Sequence, residues 1–285
     1  FRLRFREMLK NTFCHINGIG EKSERKLWDL GILRWDDAAN AVGDYPSIKN
    51  FEILKVAIEE SRFHLELRNP KFFAAGLSAT EIWRIFSEFR DSVAYIDIET
   101  NGAAGAKECI TTISMFDGLS TKYYIRNQNL DDFKHDVEHY RLLVTYNGKC
   151  FDIPVIQKHL GIRLDQAHID LRYVLSSLGY KGGLKGCEKM MGLDRGGLTD
   201  VNGYFAVLLW REYRKCHNLR ALETLLAYNI LDAANLEYLM VRAFNEKLAG
   251  TPFCKEHQLP LPNLAHNPFE PDMETLDRLR KKYIH

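Results

Sequence analysis

Ser92-Val-Ala-Tyr-Ile-Asp-Ile-Glu-Thr100 is an apolar, β-rich run that carries two carboxylates, Asp97 and Glu99. Val, Ala, Tyr and Ile in unbroken succession predict a strand buried on both faces, where an unpaired carboxylate is costly to desolvate. Side chains alternate along a strand, so Asp97 and Glu99 share one face and can share a hard divalent cation through oxygen ligands. The competing reading is a strand that has reached solvent, with Glu99 opening a turn at Asn101-Gly102.

The surrounding chain has 285 residues, 46% apolar and 27% charged, the balance of a globular protein of one large domain or two ordinary ones. With 39 basic and 38 acidic side chains it has no global positive field, so any contact with nucleic acid has to be local. The basic runs Phe1 to Arg6 and Arg278 to Lys282 read as solvated faces. Six cysteines without a Cys-x-x-Cys pair argue against a disulfide framework and a zinc knuckle, and for free thiols in a reducing, cytoplasmic compartment. Cys254, His257 and His266 lack a fourth ligand at metal-binding spacing. No apolar run approaches membrane-spanning length and no signal sequence is visible, so no membrane partner is expected.

Residues 1–90 read as an all-helical domain, with the boundary to a second domain, 91–285, close to the opening strand. Ile16-Asn-Gly-Ile-Gly-Glu-Lys-Ser-Glu-Arg-Lys-Leu-Trp-Asp-Leu-Gly-Ile32 resembles a helix-hairpin-helix. Gly18 and Gly20 suit a tight turn, and Leu27, Leu30 and Ile32 give the next helix an apolar side. Backbone N–H groups there can meet phosphate without reading sequence, with Lys22, Arg25 and Lys26 adding charge; an ordinary helical turn is the alternative. A helix is expected over Ile48 to Leu67, and another from Ser78 to about Arg90 with Glu81 completing a capping box.

Beyond residue 90 strands dominate. Cys109 to Phe116 and Thr121 to Ile125 flank Asp117-Gly118, a hairpin signal that makes three antiparallel strands in series. A helix over Leu130 to Tyr140, the strand Arg141 to Asn147 and a helix from about Ile153 complete a mixed α/β sheet. Asp152 reads as an N-cap, because Pro154 suits a first helical turn, or as a ligand, or both. Tyr228 and Asp232 lie four apart, on one face of the helical stretch Leu219 to Lys247.

Asp97-Ile-Glu99 on a strand, Tyr146-Asn-Gly-x-x-Phe-Asp152-x-Pro154 at a strand-to-helix junction and Tyr228-x-x-x-Asp232 on a late helix together resemble the DEDD superfamily of 3′ to 5′ exonucleases. More closely, about residues 92 to 245 resemble the YprB-type ribonuclease H-like exonuclease domain. The resemblance implies a ribonuclease H-like mixed sheet flanked by helices, behind the all-α N-terminal domain. Carried over by position, it implies Asp97, Glu99, Asp152 and Asp232 as ligands of two Mg²⁺ or Mn²⁺ ions, with Tyr228 orienting or activating the attacking water. Four carboxylates suit two divalent ions roughly 3.5 to 4 Å apart that clamp the attacking and leaving oxygens of a phosphodiester. The histidine subtype has its histidine one position before Tyr228, where this chain has Ala227.

Asn147 and Phe151 are placed to hold and stack a terminal nucleotide, with Phe151 as a core residue the alternative. Lys181 and Lys185, among the glycines from Gly179 to Gly186, and Lys189 just beyond them suit backbone phosphates or a solvated loop. Asp170 reads as a helix cap or as a support for the ligands. The expected function is a metal-dependent 3′ to 5′ exonuclease on nucleic acid, DNA ahead of RNA. A structure-selective endonuclease and a non-catalytic nucleic-acid-binding protein are the alternatives.

Overall fold

The computed structural model describes residues 8–41 and 51–283. The basic run Phe1 to Arg6 and the expected helix start at Ile48 lie outside them. Five strands form one sheet: β1 (Val93–Thr100), β2 (Ile110–Phe116), β3 (Thr121–Ile125), β4 (Leu142–Thr145) and β5 (Ala167–Asp170). Their order is β3-β2-β1-β4-β5, which puts the acid-bearing strand at the centre. The first three are antiparallel neighbours, as the hairpin signal predicts. The Asp117 carboxylate closes that hairpin by accepting from Leu119 N at 2.9 Å and Ser120 N at 2.7 Å. β4 and β5 run parallel to β1, and parallel neighbours need crossovers, here built on the helices Asp152–Leu160 and, before β4, Phe133–Val137.

Each face of the sheet has its own cover. Ile96, Ile98, Ile113 and Leu143 pack with Phe133, Val155 and Ile156 on one side. The long helix Leu219–Ala249 and the helix Gly203–Cys216 cover β1 and β2 on the other. The alternation that buries Ile96 and Ile98 on the first side turns Asp97 and Glu99 toward the long helix. The N-terminal helices Glu21–Asp29, Trp35–Asn40, Phe51–Glu66 and Pro70–Gly76 share a core with the far half of that same helix. Phe244 meets Trp83 edge-on at 5.4 Å, and Trp28 meets Phe253 at 5.3 Å. One apolar cluster therefore runs through the proposed boundary at residue 90.

Several local expectations change in three dimensions. Instead of one helix from Ser78, the chain forms a 3₁₀ turn Ile82–Ile85, a short helix Phe86–Phe89 and a second 3₁₀ turn Arg90–Ser92. Glu81 does not return to Ser78 to close a capping box. Its buried carboxylate is taken by Arg84 at 2.8 Å and Lys247 at 3.0 Å, because two cations in a dry setting outcompete a neutral backbone donor. Leu130 to Tyr140 contracts to a 3₁₀ turn, Leu130–Asp132, and the helix Phe133–Val137. Phe151 rather than Asp152 occupies the cap position of the next helix. In the hairpin-like segment Gly18 has φ +84°, as the tight turn requires, and the helix Glu21–Asp29 follows. The element before it is a single 3₁₀ turn, Met8–Asn11. All six cysteines are free, and no helix among the described residues is long and apolar enough to cross a membrane.

Candidate active site

The C-terminal half of β1 carries Asp97, opposite Ser114 of β2, and Glu99, opposite Thr112. Helix Leu219–Ala249 crosses over this end and contributes Tyr228 and Asp232, which its periodicity puts on one face. The junction after β4 contributes Asp152. The turn there depends on Gly148: a Cβ at that position would sit 2.1 Å from Thr145 Oγ1, so only glycine lets the chain fold back so closely. Asn147, at φ +64°, completes the bend. Asp170 at the end of β5 is both cap and support. It accepts from Arg172 N at 3.1 Å at its own helix start, and also from Asn147 N at 2.7 Å and Lys149 N at 3.1 Å.

These elements enclose a cleft of about 760 Å³ lined by Asp97, Glu99, Asp152, Tyr228 and Asp232. Carboxylate oxygens of Asp97, Glu99 and Asp232 lie within 4.8 Å of one another. Asp152 faces the same cleft outside that trio, with its Oδ1 accepting from Ile98 N at 3.3 Å. Burial first, and then repulsion from Asp232 and Asp152, hold Asp97 and Glu99 well above the usual carboxylate range. Burial pushes Asp152 up to about 7 against the pull of backbone donors that include Ile98 N–H. Burial, reinforced by Asp232, raises the Tyr228 phenol, so it stays neutral.

Two residues that sequence reasoning missed, Asn229 and Arg195, organise the acids. Asn229 Nδ2 donates to Asp97 Oδ2 at 2.6 Å, while its Oδ1 accepts from Ser114 Oγ at 2.8 Å. Arg195 is buried between Asp232, to which its Nη2 donates, and Glu188, which takes Nη1 with both oxygens at 2.9 and 2.7 Å. Burial pulls the Arg195 pKa down, but the attraction of Asp232 and Glu188 outweighs it and the guanidinium stays charged. Lys185 Nζ lies 4.8 Å from the centre of the Tyr228 ring and Arg195 Cζ 5.3 Å from it, so two cations pack on one phenol. Buried polar Asn229 in an apolar helix face was the one signal available; Arg195 sits in a glycine-rich loop without periodicity.

Of the other expected contacts, Asn147 and Phe151 line the cleft, and Asn147 Oδ1 accepts from Arg172 Nη1 at 2.5 Å. Phe151 is 39% exposed and Tyr204 51%, so both are available to a base and neither is core. Lys185 belongs to the helix Gly183–Met190, not to a loop. Gly18, Gly20 and Lys22 do not line the cleft.

No curated protein matches the chain. Among solved structures, the family B DNA polymerase from the hyperthermophilic archaeon Pyrobaculum calidifontis is similar at 16% identity and a TM-score of 0.39, over 59% of this chain and 27% of the polymerase chain. A family model of the RNase H superfamily matches residues 94–244, just over half of the sequence, and the chain belongs to that superfamily.

Proposed function

We propose that this protein is a metal-dependent nuclease that removes nucleotides from a 3′ end, with Asp97, Glu99, Asp152 and Asp232 as metal ligands and Tyr228 as the group that orients water. The observation that carries the reading is the convergence of Asp97, Glu99 and Asp232 within 4.8 Å in an open cleft. The donor set fits Mg²⁺ or Mn²⁺: it offers only hard oxygen atoms, and neither Asp97 nor Glu99 has an ion-pair partner among the described residues. Two such ions, when bound, make water a nucleophile near neutral pH and offset charge on the phosphate.

The chain's own groups do the rest. Asn229 fixes Asp97 and Arg195 fixes Asp232, which sets the ligand geometry before substrate arrives. Tyr228, a neutral phenol, holds the attacking water by a hydrogen bond. Phe151 and Tyr204 offer aromatic faces to the terminal bases, Asn147 and Arg172 hold the last sugar and phosphate, and Lys185 adds charge beside Tyr228. The turn Gly18 to Gly20, with Lys22, is a second backbone contact remote from the cleft. DNA is the preferred substrate in this reading.

Oligonucleotides labelled at the 3′ or the 5′ end, incubated with Mg²⁺ or with EDTA, test it. A metal-dependent ladder that shortens from the 3′ end is expected, faster on DNA than on the matched RNA. A fixed internal cut would make the enzyme an endonuclease, and binding without cleavage would make it a non-catalytic member of its superfamily.

A further inference from the structure

A groove runs along the outer edge of β5, between that strand and the helix Pro70–Gly76. Two cavities of about 520 and 330 Å³ share Lys71, Asp165 and Gln166 and so adjoin along one groove. Arg68 and Arg141 line one end, and Lys149 and His168 the other.

Asp170 joins this groove to the cleft. One carboxylate holds Asn147 N and Lys149 N, and of these two residues Asn147 lines the cleft while Lys149 lines the groove. A single pinned turn is thus the wall between them. Exposed cations without an acid partner among the described residues continue across it: Arg172 in the cleft, then Lys149, Lys71 and Arg141. The acids nearby are matched, Asp165 by Arg163 at 3.2 Å and Asp91 by Arg68. Lys71 and Lys149 have no carboxylate partner among the described residues. Burial lowers His168 to about 4, so it adds no charge at neutral pH. In a chain with 39 basic and 38 acidic residues, this line of cations is a local excess.

We propose that the groove carries the phosphodiester backbone of a single nucleic-acid strand whose end occupies the cleft, a reading that rests on the nuclease function above. Cations without acid partners along a groove favour a regularly spaced polyanion, and the one turn that separates groove from cleft lets a single strand reach both. Four residues of β5 span roughly 13 Å at the usual strand rise, a length that meets several phosphates.

The test pairs a Lys71→Glu/Lys149→Glu variant with a charge-keeping Lys71→Arg/Lys149→Arg variant, both in the full chain. Each is titrated by fluorescence anisotropy in Ca²⁺ with single strands of about twenty and about three nucleotides, across a range of salt. For the longer strand the glutamate variant should bind about ten-fold more weakly near 0.15 M salt, with a salt slope shallower by about 1.4, the value for two lost phosphate contacts. The arginine variant should restore both, and the short strand should lose less than the long one. An unchanged slope, equal losses for both lengths, or no binding of the long strand by the wild type would overturn the groove. Cleavage in Mg²⁺ on the same preparations separates the two readings: a wild type that binds through these lysines yet cuts nothing ends the nuclease reading and leaves the groove standing.

Discussion

Asn229 Nδ2 donates to Asp97 Oδ2 at 2.6 Å, and Ser114 Oγ, one strand over, fixes that amide by donating to its oxygen. The long helix thus holds a carboxylate of β1 through a side chain adjacent to Tyr228, and neither end of the link is free to rotate. Asn229→Ala should weaken Mn²⁺ binding about ten-fold or more, the usual cost of losing a group that orients a ligand. It should also destabilise the fold by about 1 to 3 kcal/mol, because Ser114 and Asp97 lose buried partners. Calorimetric Mn²⁺ titration and thermal unfolding measure the two effects. Unaltered metal affinity would make Asn229 a packing residue.

Arg195 compensates two acids at once, Asp232 and the fully buried Glu188. Arg195→Met removes the cation and leaves both carboxylates, a change that costs about 3 to 5 kcal/mol when a buried pair is broken from one side. Divalent ions should recover part of that loss, since they neutralise Asp232 by another route. The rise in melting temperature on adding Mn²⁺ should therefore be larger for the variant than for the wild type. Equal melting temperatures for the two proteins in EDTA would contradict the charge argument.

What the sequence made legible follows from range. Asp97 with Glu99, Tyr228 with Asp232 and the Asp117 turn are each set by spacing within one element, so alternation and helical period suffice. Arg195 with Asp232, Asn229 with Asp97 and Glu81 with Lys247 join residues far apart in the chain, and no local pattern announces them. Ser78 and Glu81 show how this misleads. Their spacing matches a helix start, but Glu81 has stronger partners that only the fold supplies. At residue 90 the composition changes, while one apolar cluster holds residues from both sides.

That shared cluster predicts that residues 91–285 alone do not form a stable unit. Phe244, Met240 and Leu248 would lose the cover of Trp83, Phe86 and their neighbours, and this apolar area would face water. The fragment should bind a hydrophobic dye and lack a cooperative melting transition. Cooperative unfolding close to that of the full chain would establish an independent domain.

His15 ties stability to pH. Ser61 Oγ donates to Ala57 O at 2.6 Å and must accept from His15 Nε2 at 2.8 Å, which leaves Nδ1 buried without a partner. Burial, with Arg84 nearby, lowers this histidine from 6.5 to about 3. Between those values the unfolded chain binds a proton that the folded one refuses, so the contribution is complete above pH 6.5 and is lost as pH falls through the window. His15→Gln should flatten the fall of melting temperature over this range. An unchanged profile would move the acid sensitivity to other groups.

Tyr228→Phe tests whether chemistry can be separated from metal binding. Burial and the neighbouring Asp232 keep the phenol neutral, which makes it a poor ligand beside carboxylates and a good hydrogen-bond partner for water. Its ring is also what Lys185 and Arg195 pack against, so Tyr228→Phe retains both cation contacts, the helix and every acid. Mn²⁺ affinity and melting temperature should stay close to wild type. The single-turnover rate should fall about 10²-fold, the scale of a proton-handling group, with substrate affinity little changed. Weaker Mn²⁺ binding with an undiminished chemical step would show instead that the tyrosine positions Arg195, and through it Asp232, and leaves the water to another group.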